Sequence, residues 1–227
     1  MDAPRTPRQD WTRWLPLTGV AAVVLWIVGV FVLESASPGG DASAFEMLAY
    51  FEEDSTSIYI GAFLFALGTA FFVWFLGSLR AAFLAREGQP GQLTAVAFAG
   101  GVGKAVFDMG VMGGMVAAAL AADETDDLSP QAAQSLFFLD DAFFIGAEFM
   151  ALVFMAAAGA VILITRALPV WLGWLALLIA LGLLIVPIGW AFLLFGVPLW
   201  VLLASVTLYL RGPEAPAAAA AVPPTAS

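Results

Sequence analysis

The stretch Leu93–Ala122, LTAVAFAGGVGKAVFDMGVMGGMVAAALAA, decides how this chain is read. A helix crosses the hydrocarbon of a bilayer with about 20 apolar residues, and this run exceeds that. It also holds the only lysine of the chain, Lys104, with Asp108 one helical turn later. A charge at the centre of a membrane helix costs ~2.5–3.5 kcal/mol on insertion scales, so it persists with a partner and marks a site.

The rest of the composition agrees with a membrane setting. Of 227 residues, 62% are hydrophobic and only 11% charged, with mean hydropathy +0.96. Soluble domains carry about 25% charged residues. Cysteine and histidine are both absent. Disulfides, thiol nucleophiles, thiolate and imidazole metal sites and the commonest general base are thereby excluded. No cofactor, metal or catalytic group is expected. A net charge of −10 speaks against nucleic acid, which selects a basic face. The expected partners are the lipid bilayer and either a second copy of the chain or another membrane protein.

Outward from Leu93–Ala122, apolar runs predict an all-α polytopic transmembrane bundle of six spans. These cover residues 14–33, 58–79, 93–118, 140–165, 170–187 and 190–210, between an N-terminal arm, 1–13, and an Ala/Pro-rich tail, 211–227. The last two spans share one uncharged run, Val170–Leu210, with a turn expected at Val186-Pro187-Ile188-Gly189. Five spans is the alternative, if that run makes one crossing and one surface segment. Span 1 reads as a retained anchor, because its apolar core is longer than that of a signal peptide.

Arginine sets the orientation. Arg5, Arg8 and Arg13 precede span 1, Arg80 and Arg86 lie between spans 2 and 3, Arg166 between spans 4 and 5, and Arg211 after span 6. All fall on one side, so both termini are expected in the cytoplasm, and the location is the plasma membrane. The opposite loops hold ten carboxylates and no basic residue. They form either an electronegative vestibule or a soluble rim that sheds basic residues for topology. Ser43-x-x-Glu46 has the spacing of a capping box and predicts a short amphipathic outer helix over 44–54. Ser129-Pro130 predicts the start of a helix running to 165.

Helices 3 and 4 are joined by a short loop and should be antiparallel neighbours. With the turn near Asp126, residues whose numbers add to about 252 share a depth, which sets Lys104 level with Glu148. Asp108 lies on the face of Lys104, and Asp141 shares a face with Glu148. A cluster of Lys104, Asp108 and Glu148 is therefore expected near the midplane, with Asp141 above it. It serves either as a static network fixing helix register or as a relay for protons or cations. Gly103, Gly110 and Gly114 fall on another face of the same helix, suited to close helix packing, with Gly110-x-x-x-Gly114 also compatible with a homodimer.

Residues Ser57–Leu64 (SIYIGAFL) and Phe75–Arg80 (FLGSLR), with Leu168–Trp174 (LPVWLGW) and the acidic outer helix, resemble a family of bacterial multi-pass membrane proteins. The family is frequent in actinobacteria and its function is unknown. The resemblance covers most of residues 14–210 and implies the six-helix plan, with no activity and no functional residues to carry over. Two readings follow: a small structural or accessory membrane protein, or a proton- or cation-coupled transporter or channel-like protein.

Overall fold

The computed structural model describes residues 11–212 apart from 36, 126 and 127. Among these every regular element is helical: α1 (Thr18–Glu34), α2 (Ala44–Glu53), α3 (Ser55–Glu87), α4 (Gln92–Thr125), α5 (Pro130–Thr165), α6 (Val170–Leu183), α7 (Val186–Ala191) and α8 (Val197–Arg211). Five π-helical residues, Phe192–Gly196, join α7 to α8 without a break. The segments Leu15–Glu34, Ser55–Glu87, Gln92–Glu124, Pro130–Thr165 and Pro187–Arg211 are each long and apolar enough to cross a membrane.

The expected span 170–187 takes a different form. Its helix, α6, has 14 residues, about 21 Å at ~1.5 Å per residue, against about 30 Å of hydrocarbon. The chain leaves the helix at Leu184 and Ile185, slightly before the expected turn. Pro187 instead stands in the first turn of α7, where its missing N–H costs no helical hydrogen bond. The backbone is tightly paired through this reversal. Leu184 N donates to Leu181 O, Ile185 N to Gly182 O, and Ile188 N and Gly189 N both to Ile185 O. Beyond it the chain packs antiparallel to α6: the Phe192 ring fills the space at Gly182, Ile179 meets Gly196, and Trp200 Nε1 donates to Leu172 O at 2.9 Å.

Small residues set the remaining contacts. In α1 and α3, Gly29 lies against Gly61 and Phe65, and Gly68 against Ala22 and Trp26, so the two helices run antiparallel with their backbones close. In α4 and α5, Gly100 meets Phe154, Gly103 meets Met150, Gly110 meets Phe143 and Gly146 meets Phe107. The numbers in each of these pairs add to 253 or 254, within two residues of the depth register expected from the hairpin. Phe107 and Phe143 each occupy the gap at a glycine of the other helix, and their rings lie 6.3 Å apart.

The ends of the bundle differ in chemistry. At one end, Arg13 lies over the Tyr209 ring at 5.6 Å, Arg80 over Phe98 at 5.8 Å, and Arg211 Nη1 donates to Ala167 O at 2.8 Å. Glu87 caps α4 there, accepting from Leu93 N, Thr94 N and Thr94 Oγ1 at 2.9, 2.8 and 2.5 Å. At the other end lies α2. Its Ser43 Oγ accepts from Glu46 N at 3.3 Å while the Glu46 carboxylate accepts from Ser43 N at 2.7 Å, closing the capping box. These bonds hold the Glu46 carboxyl below its ordinary range, the backbone donor of Ser43 contributing most. Met47, Tyr50 and Phe51 are buried against the bundle. Tyr50 OH donates to Leu33 O at 3.3 Å. Burial, followed by the charges of Glu34, Asp54 and Asp140, pushes the Tyr50 phenol up to about 12.

Candidate functional site: a lysine pair among three helices

Lys104 and Asp108 are each 4% exposed, although both are charged residue types at the middle of a 34-residue helix. Lys104 Nζ donates to Asp108 Oδ2 at 2.6 Å. Four residues of α-helix bring the two side chains onto one face, so α4 supplies both halves of the pair. The other walls come from α1 and α3. Nζ lies 4.6 Å from the centre of the Trp26 ring and 5.7 Å from that of Phe72, within the range where a ring quadrupole attracts a cation. Trp26 is held in turn: its Nε1 donates to Thr69 Oγ1 at 3.0 Å, and that hydroxyl donates to Phe65 O at 3.0 Å. Thr69 is buried, and this chain of donors uses its hydroxyl in both directions. A shallow groove of about 230 Å³ lies between α3 and α4, lined by Thr69, Val73, Val102, Ala105 and Met109; neither Lys104 nor Asp108 lines it.

The expected three-residue cluster is corrected here. Glu148 joins neither Lys104 nor Asp108 by an ion pair or hydrogen bond among the described residues. Its depth matches that of Lys104, but its direction does not. The glycine face of α4 carries Gly100, Gly103, Gly110 and Gly114 and is the face that packs on α5. Lys104 and Asp108 lie on another face and point to α1 and α3. The site is therefore a neutral pair rather than a trio of net charge −1. Asp141 is exposed, two turns of α5 from Glu148, and stands apart from the pair.

Glu148 instead faces the turn between α6 and α7. Its Oε1 is shielded from solvent and has no hydrogen-bond partner. That oxygen lies in the space left by Gly189, where a Cβ would be 1.6 Å from it and 3.2 Å from the carbonyl oxygen of Leu183. Among the described residues no three carboxylates gather in a way that could hold a metal ion.

Sequence reasoning missed Trp26, Thr69, Phe72 and Gly189. Two of them carried a signal. Thr69 is a hydroxyl in the middle of a span, and Trp26 is an aromatic well inside span 1 rather than in an interfacial belt. The glycines Gly103, Gly110 and Gly114 all face α5 of the same chain, against Met150, Phe143 and the Leu136 carbonyl respectively. No family model, curated protein or solved structure matches the chain.

Proposed function

We propose that this chain is an integral protein of the plasma membrane with a structural or accessory role, in which the Lys104–Asp108 pair locks α1, α3 and α4 in register. The observation that carries the reading is the closure of the pair. The lysine is neutralised by a carboxylate of its own helix and faced by rings from two others. A buried ion pair adds little net stability over an apolar replacement, but breaking it leaves an uncompensated charge, so it serves specificity of packing.

In this reading α1, α3, α4 and α5 cross the bilayer, and the α6–α8 hairpin returns the chain to the face it left. Both termini are cytoplasmic, in keeping with the end of the bundle where Arg13, Arg80 and Arg211 gather. The α6–α7 turn lies in the apolar layer. Support comes from the exposure of Leu181, Leu184, Ile185, Ile188 and Trp190 around it and from the absence of charge between Val170 and Leu210. The other two loops on that side are rich in carboxylates.

The chain contains no cysteine, so single cysteines report topology without background. A membrane-impermeant maleimide should label Asp41→Cys in intact cells and Gln92→Cys only after permeabilisation. Ile185→Cys should resist labelling in both conditions. Labelling of Gln92→Cys from outside would overturn the orientation, and ready labelling of Ile185→Cys would overturn the buried turn.

A second reading, a proton- or cation-coupled transporter or channel-like protein, is favoured by one observation: the shielded, unpartnered Oε1 of Glu148 beside a helix break.

A further inference from the structure

We propose that Glu148, whose Oε1 occupies the space left by Gly189 beside the Leu183 carbonyl, takes up one proton or one small monovalent cation there, and that this pins the α6–α7 turn to α5. The assignment takes up the second reading above. It needs only the contacts at this turn, so it stands or falls separately from the role of the Lys104 pair and from the topology.

Pro187 stands four residues after Leu183, where a continuing helix would donate an N–H to its carbonyl, and proline has none. Among the described residues Glu148 Oε1 has no hydrogen-bond partner. Glu148 Oε1 fills the space that exists because residue 189 has no side chain, and the Leu183 carbonyl oxygen borders it.

Among the described residues no cationic side chain pairs with Glu148 Oε1. The charges of α4 near this level, Lys104 and Asp108, point to α1 and α3. The elements α6 and α7 and the π-helical segment carry no titratable residue, and α8 contributes only Tyr209 and Arg211 at its far end. On α5 itself the nearest charged residues are Asp140 and Asp141, about two turns away, and α2 adds carboxylates and Tyr50, whose hydroxyl donates to Leu33 O. Among the described residues these elements therefore bring no cationic side chain to Glu148. A shielded acceptor without a donor is costly unless something shares it.

A proton on Glu148 makes it a donor to the Leu183 carbonyl, and a small monovalent ion takes both oxygens as ligands. The C-terminal end of α6 adds its partial negative charge at the same place. Unwound carbonyls and half-helix C-termini bind sodium ions or protons in the broken helices of membrane transporters by the same physics.

Infrared difference spectroscopy on the full chain in lipid nanodiscs tests this, with pH titrated in sodium or in choline buffer. The wild-type protein should show a protonated-carboxyl stretch that is lost completely in Glu148→Gln. At fixed pH, sodium should abolish that band if the site takes the ion and leave it unchanged if the site takes only the proton. Either result supports the site and names its occupant. The glutamine of Glu148→Gln keeps the side-chain shape and brings its own N–H to the carbonyl, so this variant should fold. Gly189→Ala should shift or remove the band by displacing the carboxyl group. Wild-type and Glu148→Gln spectra that coincide across pH and sodium would overturn the proposal. So would a Glu148 band that stays in place in folded Gly189→Ala.

Discussion

The Lys104 ammonium sits 4.6 Å above the indole of Trp26, whose Nε1 is tied to Thr69 on a third helix. One aromatic side chain thus connects the cation of α4 to the backbone of α3. Trp26→Phe keeps a ring face and removes the N–H. It should cost about 0.5–1.5 kcal/mol for the lost hydrogen bond. Trp26→Leu removes the ring face as well, and the added cost of losing the cation–ring attraction is about 0.5–2 kcal/mol. In a Lys104→Met background that second increment should vanish. Denaturation of these variants in detergent micelles, with and without Lys104→Met, measures the difference directly.

The glycine face of α4 makes a graded prediction. A Cβ at Gly100 would lie 2.6 Å from the backbone nitrogen of Phe154, and one at Gly110 would lie 2.2 Å from the Phe143 ring. Neither neighbour is the loose end of a flexible chain, so Gly100→Ala and Gly110→Ala should each destabilise by about 1–3 kcal/mol. Gly113 has open space where its Cβ would go. Gly113→Ala should therefore be stabilising by about 0.5–1 kcal/mol through helix propensity. Thermal unfolding of the three variants orders them.

The cap of α2 titrates. The Glu46 carboxyl is held below its ordinary range by the Ser43 backbone N–H and then by the Ser43 hydroxyl. A depressed carboxylate contributes stability that is present above its unfolded value, about 4.3, and is lost as pH falls through its folded value. The order of α2 should thus persist at neutral pH and weaken only in strong acid. The methyl resonance of Met47, on the buried face of α2, reports it. That resonance should move on acidification below about pH 4 in the wild-type protein, and not in Glu46→Gln.

Tyr50 behaves in the opposite sense. Burial, then the nearby carboxylates, raise its phenol to about 12, so the folded state holds its proton where the unfolded chain gives it up. The stability it contributes is complete below about pH 10 and declines as pH rises towards the folded value. Tyr50→Phe should flatten the alkaline limb of a stability-against-pH curve, although it also removes the bond to Leu33 O.

Features governed by local chemistry were legible in the sequence. Ser43-x-x-Glu46 and Ser129-Pro130 announced their helix starts because capping depends on residues three or four apart. The depth of Glu148 against Lys104 was legible too, since a short loop between two straight helices fixes register. Direction was harder. Lys104 and Glu148 are level, yet helices meet along faces, and α4 presents its glycines rather than its lysine to α5. The information was present in the separation of Gly103, Gly110 and Gly114 from Lys104 around the helix: those glycines pack on α5, and Lys104 pairs with Asp108 on another face. The shortness of α6 was not legible. An uncharged run from 170 to 210 marks no point of reversal beyond its proline and glycine, and the break two residues ahead of Pro187 lies between two glycines, Gly182 and Gly189, whose gaps are filled by Phe192 and Glu148.

The most direct test of the account is a double-mutant cycle at Lys104 and Asp108, read as unfolding free energy in bilayer-like micelles. Lys104→Met alone strands a buried carboxylate and Asp108→Leu alone strands a buried ammonium, so each should cost about 3–5 kcal/mol. The double variant removes both charges and sets a thioether against the Trp26 and Phe72 rings. It should lie within about 1–2 kcal/mol of the wild-type protein, or above it. A double variant as unstable as the two single losses added together would show that the two residues do not act as a pair, and would contradict the account.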